Sequence, residues 1–258
     1  MLNISLNYVL SKINSMKIIK LNAIDSTNDF LKNMSRNEVV ENFTTVVTQS
    51  QTKGKGQMGS TWDSEIGKNL IMSILIKDLL NDIDEIFHLN VAISLAVIQV
   101  LEELNIPKIS IKWPNDIMSD NKKIAGILIE NSFKSDNKIE SIVGIGLNVN
   151  QKEFSNLPKA SSLSVITNLD FDLDLILDKI QFQIKRNCAI ISSKQTAILW
   201  KNYHQSLFKN GVPMAFEDEN KNQFMGIIQE VSEDGRLKLL LEDDSFKFYE
   251  LKQIQMLY

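Results

Sequence analysis

Leu70, Met72, Ile74 and Ile76 fall on one face of the stretch 69–77 at the two-residue period of a strand. The β-branched run at 44–50 predicts another strand, and 17–23 a shorter one. Between them, Ser26, Thr27, Asn28 and Asp29 precede Phe30 and Leu31. A side-chain oxygen just ahead of an apolar pair is a helix N-cap sequence, so the Asp25–Asn28 turn should present its side chains at a helix N-terminus. Residues 84–104 carry apolar side chains all round, among them Ile86, Leu89, Ile93, Val97 and Leu101, which predicts a central helix packed on a sheet, with Asp84 and Glu85 at its positive end. Strands are predicted at 109–113, 123–130 and 140–149, separated by turn residues Ser119-Asp120-Asn121 and Ser135-Asp136-Asn137, the pattern of an antiparallel meander. Helices at 174–192 and 195–208 give way at Lys209-Asn210-Gly211 to short strands over 212–257, with hairpin turns at Glu233-Asp234-Gly235-Arg236 and Asp243-Asp244. The pattern predicts an α+β chain: an N-terminal extension at 1–16, a large domain at 17–209 and a small barrel at 210–258.

Composition narrows the chemistry. The 258 residues are 43% hydrophobic and 23% charged with a formal net charge of −4, which suits a globular core and disfavours a protein that coats nucleic acid. Cys188 is the single cysteine, which removes disulfide frameworks and cysteine-rich metal sites and fits a reducing cytoplasm; its apolar neighbours predict burial. With only His88 and His204, a histidine-based catalytic centre is not expected, and both have structural readings. The apolar run 91–101 is interrupted by Ser94 and Gln99 and reads as a buried helix rather than a membrane span, and the first twelve residues carry no export signal.

The loop between the second and third strands holds Gly54, Lys55, Gly56, Gln57, Met58 and Gly59, the spacing G-x-G-x-x-G. A dinucleotide fingerprint must open a helix, whereas 60–68 is irregular and runs into a strand. Strands on both sides also fit a kinase glycine loop, but no His-Arg-Asp or Asp-Phe-Gly follows. What remains is backbone N–H groups free to approach an anion or acyl group, with Lys53 and Lys55 adding charge; a mobile hairpin is the competing reading. Lys112-Trp113-Pro114-Asn115-Asp116 ends one strand and begins another, gathering a cation, an amide and a carboxylate at one corner. Lys122 and Lys123 then open an apolar strand that includes Gly126, and Gly144-Ile145-Gly146-Leu147-Asn148-Val149-Asn150 closes the next. Trp62 and Trp113 also have a packing reading at the base of the loop, and Ser26 a capping one.

These segments, in this order, resemble the catalytic domain of biotin protein ligases, from about residue 17 to the C-terminus. The resemblance implies the mixed sheet flanked by helices shared with class II aminoacyl-tRNA synthetases, followed by a small SH3-like β-barrel. It implies formation of biotinyl-5′-AMP from biotin and ATP with Mg²⁺, then transfer of biotin to one lysine of the biotin carboxyl carrier protein of acetyl-CoA carboxylase or a related carboxylase. Biotin and ATP are then substrates, and no prosthetic group is tightly bound. Two anions, a carboxylate and an α-phosphate, must meet in such a reaction, so lysines and backbone donors are needed and a covalent nucleophile is not.

By the same resemblance, Ser26, Thr27, Asn28 and Gln51 line the biotin pocket, and Lys55, Gly56 and Gln57 belong to the loop that folds over the intermediate. Gly54, Gly59, Trp62, Asn115 and Asn148 join Lys55 on the nucleotide side. Lys123 contacts the biotin carboxylate and the phosphate that replaces it, and Lys112 and Asp116 complete the catalytic set. Asp116 orients or deprotonates the acceptor lysine and is the candidate contact for a nucleotide-borne Mg²⁺. Gln57, Met58 and Ser60 stand where many members are cationic, which predicts looser retention of the intermediate. The barrel lacks the arginine that some members direct toward the nucleotide, Lys252 being its nearest substitute. About sixteen residues precede the first strand, too few for a helix-turn-helix, so no nucleic-acid or membrane partner is expected, and the chain is a monomer or a homodimer. The rival reading on this fold is a lipoate or octanoyl ligase or transferase; a non-catalytic recruiting module is the rival from another class.

Overall fold

The computed structural model describes residues 16–80, 82–134, 138–155 and 157–258. The predicted turn at Ser135-Asp136-Asn137 and nearly all of the predicted N-terminal extension lie outside the described residues.

The chain begins with β1 (Ile18–Leu21), α1 (Thr27–Asn37), β2 (Thr45–Thr48) and β3 (Leu70–Lys77), and continues with the central helix α2 (Ile86–Glu103). Strands β4 (Ile109–Lys112), β5 (Asp116–Ser119), β6 (Lys122–Phe133) and β7 (Ile139–Leu147) follow. One seven-stranded sheet results, in the order β1-β2-β3-β7-β6-β5-β4. Among the described strands of this sheet only β1 and β2 pair in parallel, because α1 provides the crossover that parallel neighbours require; the other strand pairings in it are antiparallel. The predicted meander is β4 to β7, laid down strand beside strand.

β3 departs from simple alternation: Leu70 through Ile76 are all buried. The reason is that both sheet faces are covered. Ile74 and Val143 join the main core around α2, whereas Leu75 and Ile142 join a second cluster with Leu31 of α1. Helix α2, with the 3₁₀ turn before it, is long and apolar enough to cross a membrane, but it lies inside the protein, packed on α4 (Leu173–Ser192) and α5 (Ala197–Gln205). A short helix, α3 (Leu163–Thr167), precedes them.

The remaining strands, β8 (Pro213–Asp218), β9 (Gln223–Val231), β10 (Leu237–Leu241), β11 (Phe246–Tyr249) and β12 (Ile254–Leu257), form a five-stranded antiparallel sheet ordered β11-β10-β9-β8-β12. Its buried face, including Phe216, Ile228, Leu239 and Met256, is continuous with the main core. The turn between β9 and β10 reaches the corner between β4 and β5: the Trp113 indole N–H donates to the Gly235 carbonyl at 2.9 Å. Gly235 has φ +90, and a Cβ there would lie 2.4 Å from the Phe87 ring, so both conformation and space demand glycine.

Candidate active site

The site lies on the α1 face of the large sheet. Three glycines in β6 and β7 make its floor, and each is a close approach. A Cβ at Gly144 would stand 2.4 Å from Asn28 Oδ1, and one at Gly146 would stand 2.3 Å from the Trp62 indole. Gly126 is paired with Gly146 across the strands, and its Cβ would meet Trp62 at 3.2 Å and Lys123 Nζ at 3.3 Å. Above this floor is an open cavity of about 780 Å³ including its mouth, within the usual range for a ligand pocket.

One end of the cavity is lined by hydroxyl and amide side chains. Ser26 caps α1 through Asp29 N–H, which fixes Thr27 and Asn28 over the sheet. The Thr27 N–H donates to Gln51 Oε1 at 2.8 Å, and the Thr27 hydroxyl lies 3.0 Å from the same oxygen. The buried Ser73 hydroxyl is 2.6 Å from Asn28 Oδ1 and 2.7 Å from Thr27 Oγ1. Asn28 Nδ2 donates to Glu130, whose other oxygen is paired with Lys32 at 3.0 Å. Such a network holds its amides in one orientation.

The other end is charged. Lys123 Nζ lies 2.6 Å from Asp116, and Lys112 Nζ lies 3.9 Å from the same carboxylate. Burial holds the Lys112 ammonium below the usual lysine range; Asp116 opposes that shift and the neighbouring Lys123 and Lys159 add to it. Gly144, beside Asn28, and Gly146, under Trp62 near Lys123, are two residues apart on β7, so the two ends are separated by roughly 7 Å. Side chains of Ile71, Leu128 and Trp62 contribute apolar wall between them.

The glycine loop is folded over the cavity. Gly56 N–H donates to Ser60 O, Trp62 N–H donates to Gly54 O, and Gln57–Gly59 forms a 3₁₀ turn. A Cβ at Gly54 would lie 2.2 Å from Trp62 O, so that hairpin closes only with glycine there. The loop's lysines are both engaged: Lys55 Nζ is 2.7 Å from Asp29, and Lys53 Nζ is 2.9 Å from Asp25. The hydrogen bond to Asp29 raises the Lys55 pKa above the ordinary lysine value, and that to Thr52, with Lys53, lowers the Asp25 carboxyl. The Trp62 indole nitrogen is buried without a hydrogen-bond partner.

Of the residues singled out in the sequence, Ser26, Thr27, Asn28, Gln51, Lys55, Gly56, Gln57, Trp62, Asn115, Asp116 and Lys123 line this one cavity. Gly54 and Gly59 shape the loop instead, Gly59 at φ +83. Lys112 lines an adjoining cavity with Gln57 and Lys252, between the β4–β5 corner and the C-terminal sheet. Asn148 does not line either; its amide donates to Ser161 O at 3.0 Å and anchors the following loop. Sequence reasoning passed over Ser73 and Glu130. The signal for Ser73 was a lone hydroxyl in an otherwise apolar strand; Glu130 gave none, since a glutamate at a strand's far end is ordinarily solvated. Cys188 is buried, which pushes its thiol up to about 12 and leaves it no part in the site. Among the described residues no group of three acidic, histidine or cysteine side chains could hold a metal ion.

Comparison with known proteins places these features in context. The profile of the Biotin/lipoate A/B protein ligase family matches residues 21–150. The bifunctional ligase/repressor BirA of Bacillus subtilis is 34% identical over 135 residues, 52% of this chain and 41% of that protein. The chain therefore spans less than half the length of that relative. The biotin–[acetyl-CoA-carboxylase] ligase of Mycobacterium tuberculosis is 24% identical over 205 residues, 75% of this chain and 72% of that one. Among solved structures, the biotin protein ligase from Aquifex aeolicus in complex with biotin and ATP superposes with a TM-score of 0.76 at 30% identity, covering 93% of this chain and 98% of that chain.

Proposed function

The chain belongs to the Biotin/lipoate A/B protein ligase family, and from that premise we propose that it is an ATP-dependent biotin protein ligase. The observation that carries the choice of substrate is the shape of the cavity: an amide-and-hydroxyl end at Ser26, Thr27, Asn28 and Gln51, backed by the buried Ser73 hydroxyl, an apolar middle, and a lysine–carboxylate end at Lys123 and Asp116. Biotin has the complementary order, a ureido ring, an apolar bicycle and chain, and a terminal carboxylate. A lipoate or octanoate chain has no use for the amide end, and a fixed polar network left without its partner disfavours such a ligand.

In the first half-reaction a biotin carboxylate oxygen attacks the α-phosphorus of ATP, and the bond from that phosphorus to pyrophosphate breaks. Lys123 neutralises the approaching carboxylate, and Lys112 adds charge behind it. In the second, the amine of an acceptor lysine attacks the acyl carbon, AMP leaves, and Asp116 takes up the proton the amine sheds. The acceptor is the lysine of a carboxyl carrier protein, as in acetyl-CoA carboxylase. A Mg²⁺ arriving with the nucleotide fits here: among the described residues Asp116 is the one carboxylate lining the cavity, and Mg²⁺ characteristically takes one or two carboxylates with phosphates and water. Its chemistry would be to neutralise phosphate charge. The single cysteine accords with a cytoplasmic site of action.

The test is incubation with biotin, ATP, Mg²⁺ and a carrier domain, read as a mass increase of one biotinyl group on one lysine. Parallel melting curves with biotin, lipoate and octanoate separate the rival: stabilisation by lipoate or octanoate and not by biotin refutes the proposal.

A further inference from the structure

We propose that Tyr258 is a positioning residue that holds Lys112 and Lys159 as a cradle for the polyphosphate of the nucleotide, beside Asp116. The proposal rests on the ligase reading above. Neither Tyr258 nor Lys159 stands out in the sequence: one follows the last strand and the other lies in an irregular loop.

Three sets of contacts bring them together. The loop carrying Lys159 is zipped onto the start of β6: Lys123 N–H donates to Lys159 O at 2.7 Å, Ser161 N–H donates back to Lys123 O at 3.0 Å, and Lys122 Nζ holds Pro158 O. The Tyr258 ring is anchored edge-on against buried Phe208 at 5.3 Å, and Phe208 N–H is bonded to Ile111 O beside Lys112. The ring then meets two ammonium groups, Lys159 Nζ at 4.3 Å from its centre and Lys112 Nζ at 5.1 Å. Lys112 and Lys123 both pair with the single carboxylate of Asp116, and Lys159 lies close enough to Lys112 to repel its charge, so three ammonium groups gather here around one carboxylate.

Like charges gathered without matching anions repel, and the Lys112 side chain is mostly withdrawn from water. An aromatic face supplies attraction that does not consume their charge, which a carboxylate would. The excess positive charge is therefore left for a ligand that brings several negative charges at once. On the reaction coordinate that ligand is the departing pyrophosphate, whose charge grows as its bond to the α-phosphorus breaks. Lys112 and Lys159 would meet it, while Tyr258 contacts Phe208 and the two lysines and not the ligand.

The experiment measures binding of inorganic tripolyphosphate to the full chain by calorimetry, alongside the KM for ATP in adenylate formation. Wild type is compared with Tyr258→Phe, Tyr258→Leu and Lys159→Gln, and biotin affinity serves as the control for folding. Loss of two cation–ring contacts predicts tripolyphosphate binding weakened by about fivefold or more in Tyr258→Leu. The KM for ATP should rise in step, biotin affinity should hold, and Tyr258→Phe should behave as wild type. Lys159→Gln, at an exposed position, should weaken tripolyphosphate comparably. Unchanged tripolyphosphate binding in Tyr258→Leu and Lys159→Gln would overturn the proposal, as would a Phe variant as defective as Leu. If wild type binds tripolyphosphate in a lysine- and ring-dependent way but forms no biotinyl-adenylate, the ligase reading falls and the cradle stands. If Tyr258→Leu forms adenylate at the wild-type KM, the cradle falls and the ligase reading stands.

Discussion

Gly146→Ala tests whether Trp62 must lie flat on the glycine floor for ligand to be held. The new Cβ would sit 2.3, 2.6 and 2.8 Å from three atoms of the indole. Carbon atoms rest at about 3.5–4.0 Å, so the ring must rise by more than about 1 Å. Overpacking of that kind costs about 1–3 kcal/mol, or roughly fivefold to hundredfold in affinity when it falls wholly on the bound state. We expect it to fall there, because Trp62 sits on a glycine hairpin tied to the start of α1 by exposed ion pairs, which is displaced at less cost in the free protein than over a bound ligand. The expected result is weaker biotin binding by calorimetry with little change in the denaturant midpoint. Gly126→Ala is the internal control: its Cβ would meet the indole at 3.2 Å, a contact relieved by a few tenths of an ångström. Gly146→Ala that binds biotin within about twofold of wild type, or that loses global stability as readily as ligand affinity, refutes the reasoning.

Lys112 should govern the alkaline side of adenylate synthesis. Its lowered pKa means that the folded state sheds this proton at a pH where the unfolded chain keeps it, so stability rises with pH through the window below 10.5 while activity that needs the ammonium falls. Lys112→Arg should move the alkaline limb of the pH–rate profile upward; superimposable limbs would clear Lys112 of that role. Asp29→Asn removes the latch on Lys55 and should speed amide exchange across residues 54–62 by no more than about fivefold, the scale of an exposed ion pair. Exchange unchanged in that variant would show that the Lys55–Asp29 pair does not hold the loop. Asp116→Asn should impair transfer from preformed biotinyl-adenylate more than biotin binding, measured by single-turnover transfer at limiting acceptor. Unimpaired transfer would remove Asp116 from the second half-reaction.

Much of this architecture was legible in the sequence because local and global preferences agree. The capping sequence at Ser26 predicts a helix that begins at Thr27, and the all-apolar run predicts a helix buried on every side. The turn chemistry at 233–236 and 243–244 falls where β9, β10 and β11 join. Less legible were features created only by the fold. Glu130 enters the site because α1 crosses over the far part of β6, and Ser73 because Asn28 is brought onto β3. The engagement of Lys53 and Lys55 by Asp25 and Asp29 likewise depends on the hairpin bending back to the helix start, and spacing carries no trace of it. Asn148 shows the converse: the motif was visible, but the amide faces Ser161 and not the cavity.

The bond from Trp113 to Gly235 has a consequence for dividing the chain. The change of pattern at 209–211 invites cutting there, yet a fragment ending at that point would strand the Trp113 donor and uncover Phe87, which packs on Gly235. The seam visible in sequence is thus not a seam in cohesion. Two fragments cut at 209–211 should each be poorly structured alone and regain biotin binding only when mixed, which makes that joint a natural position for a split reporter whose halves report their own encounter.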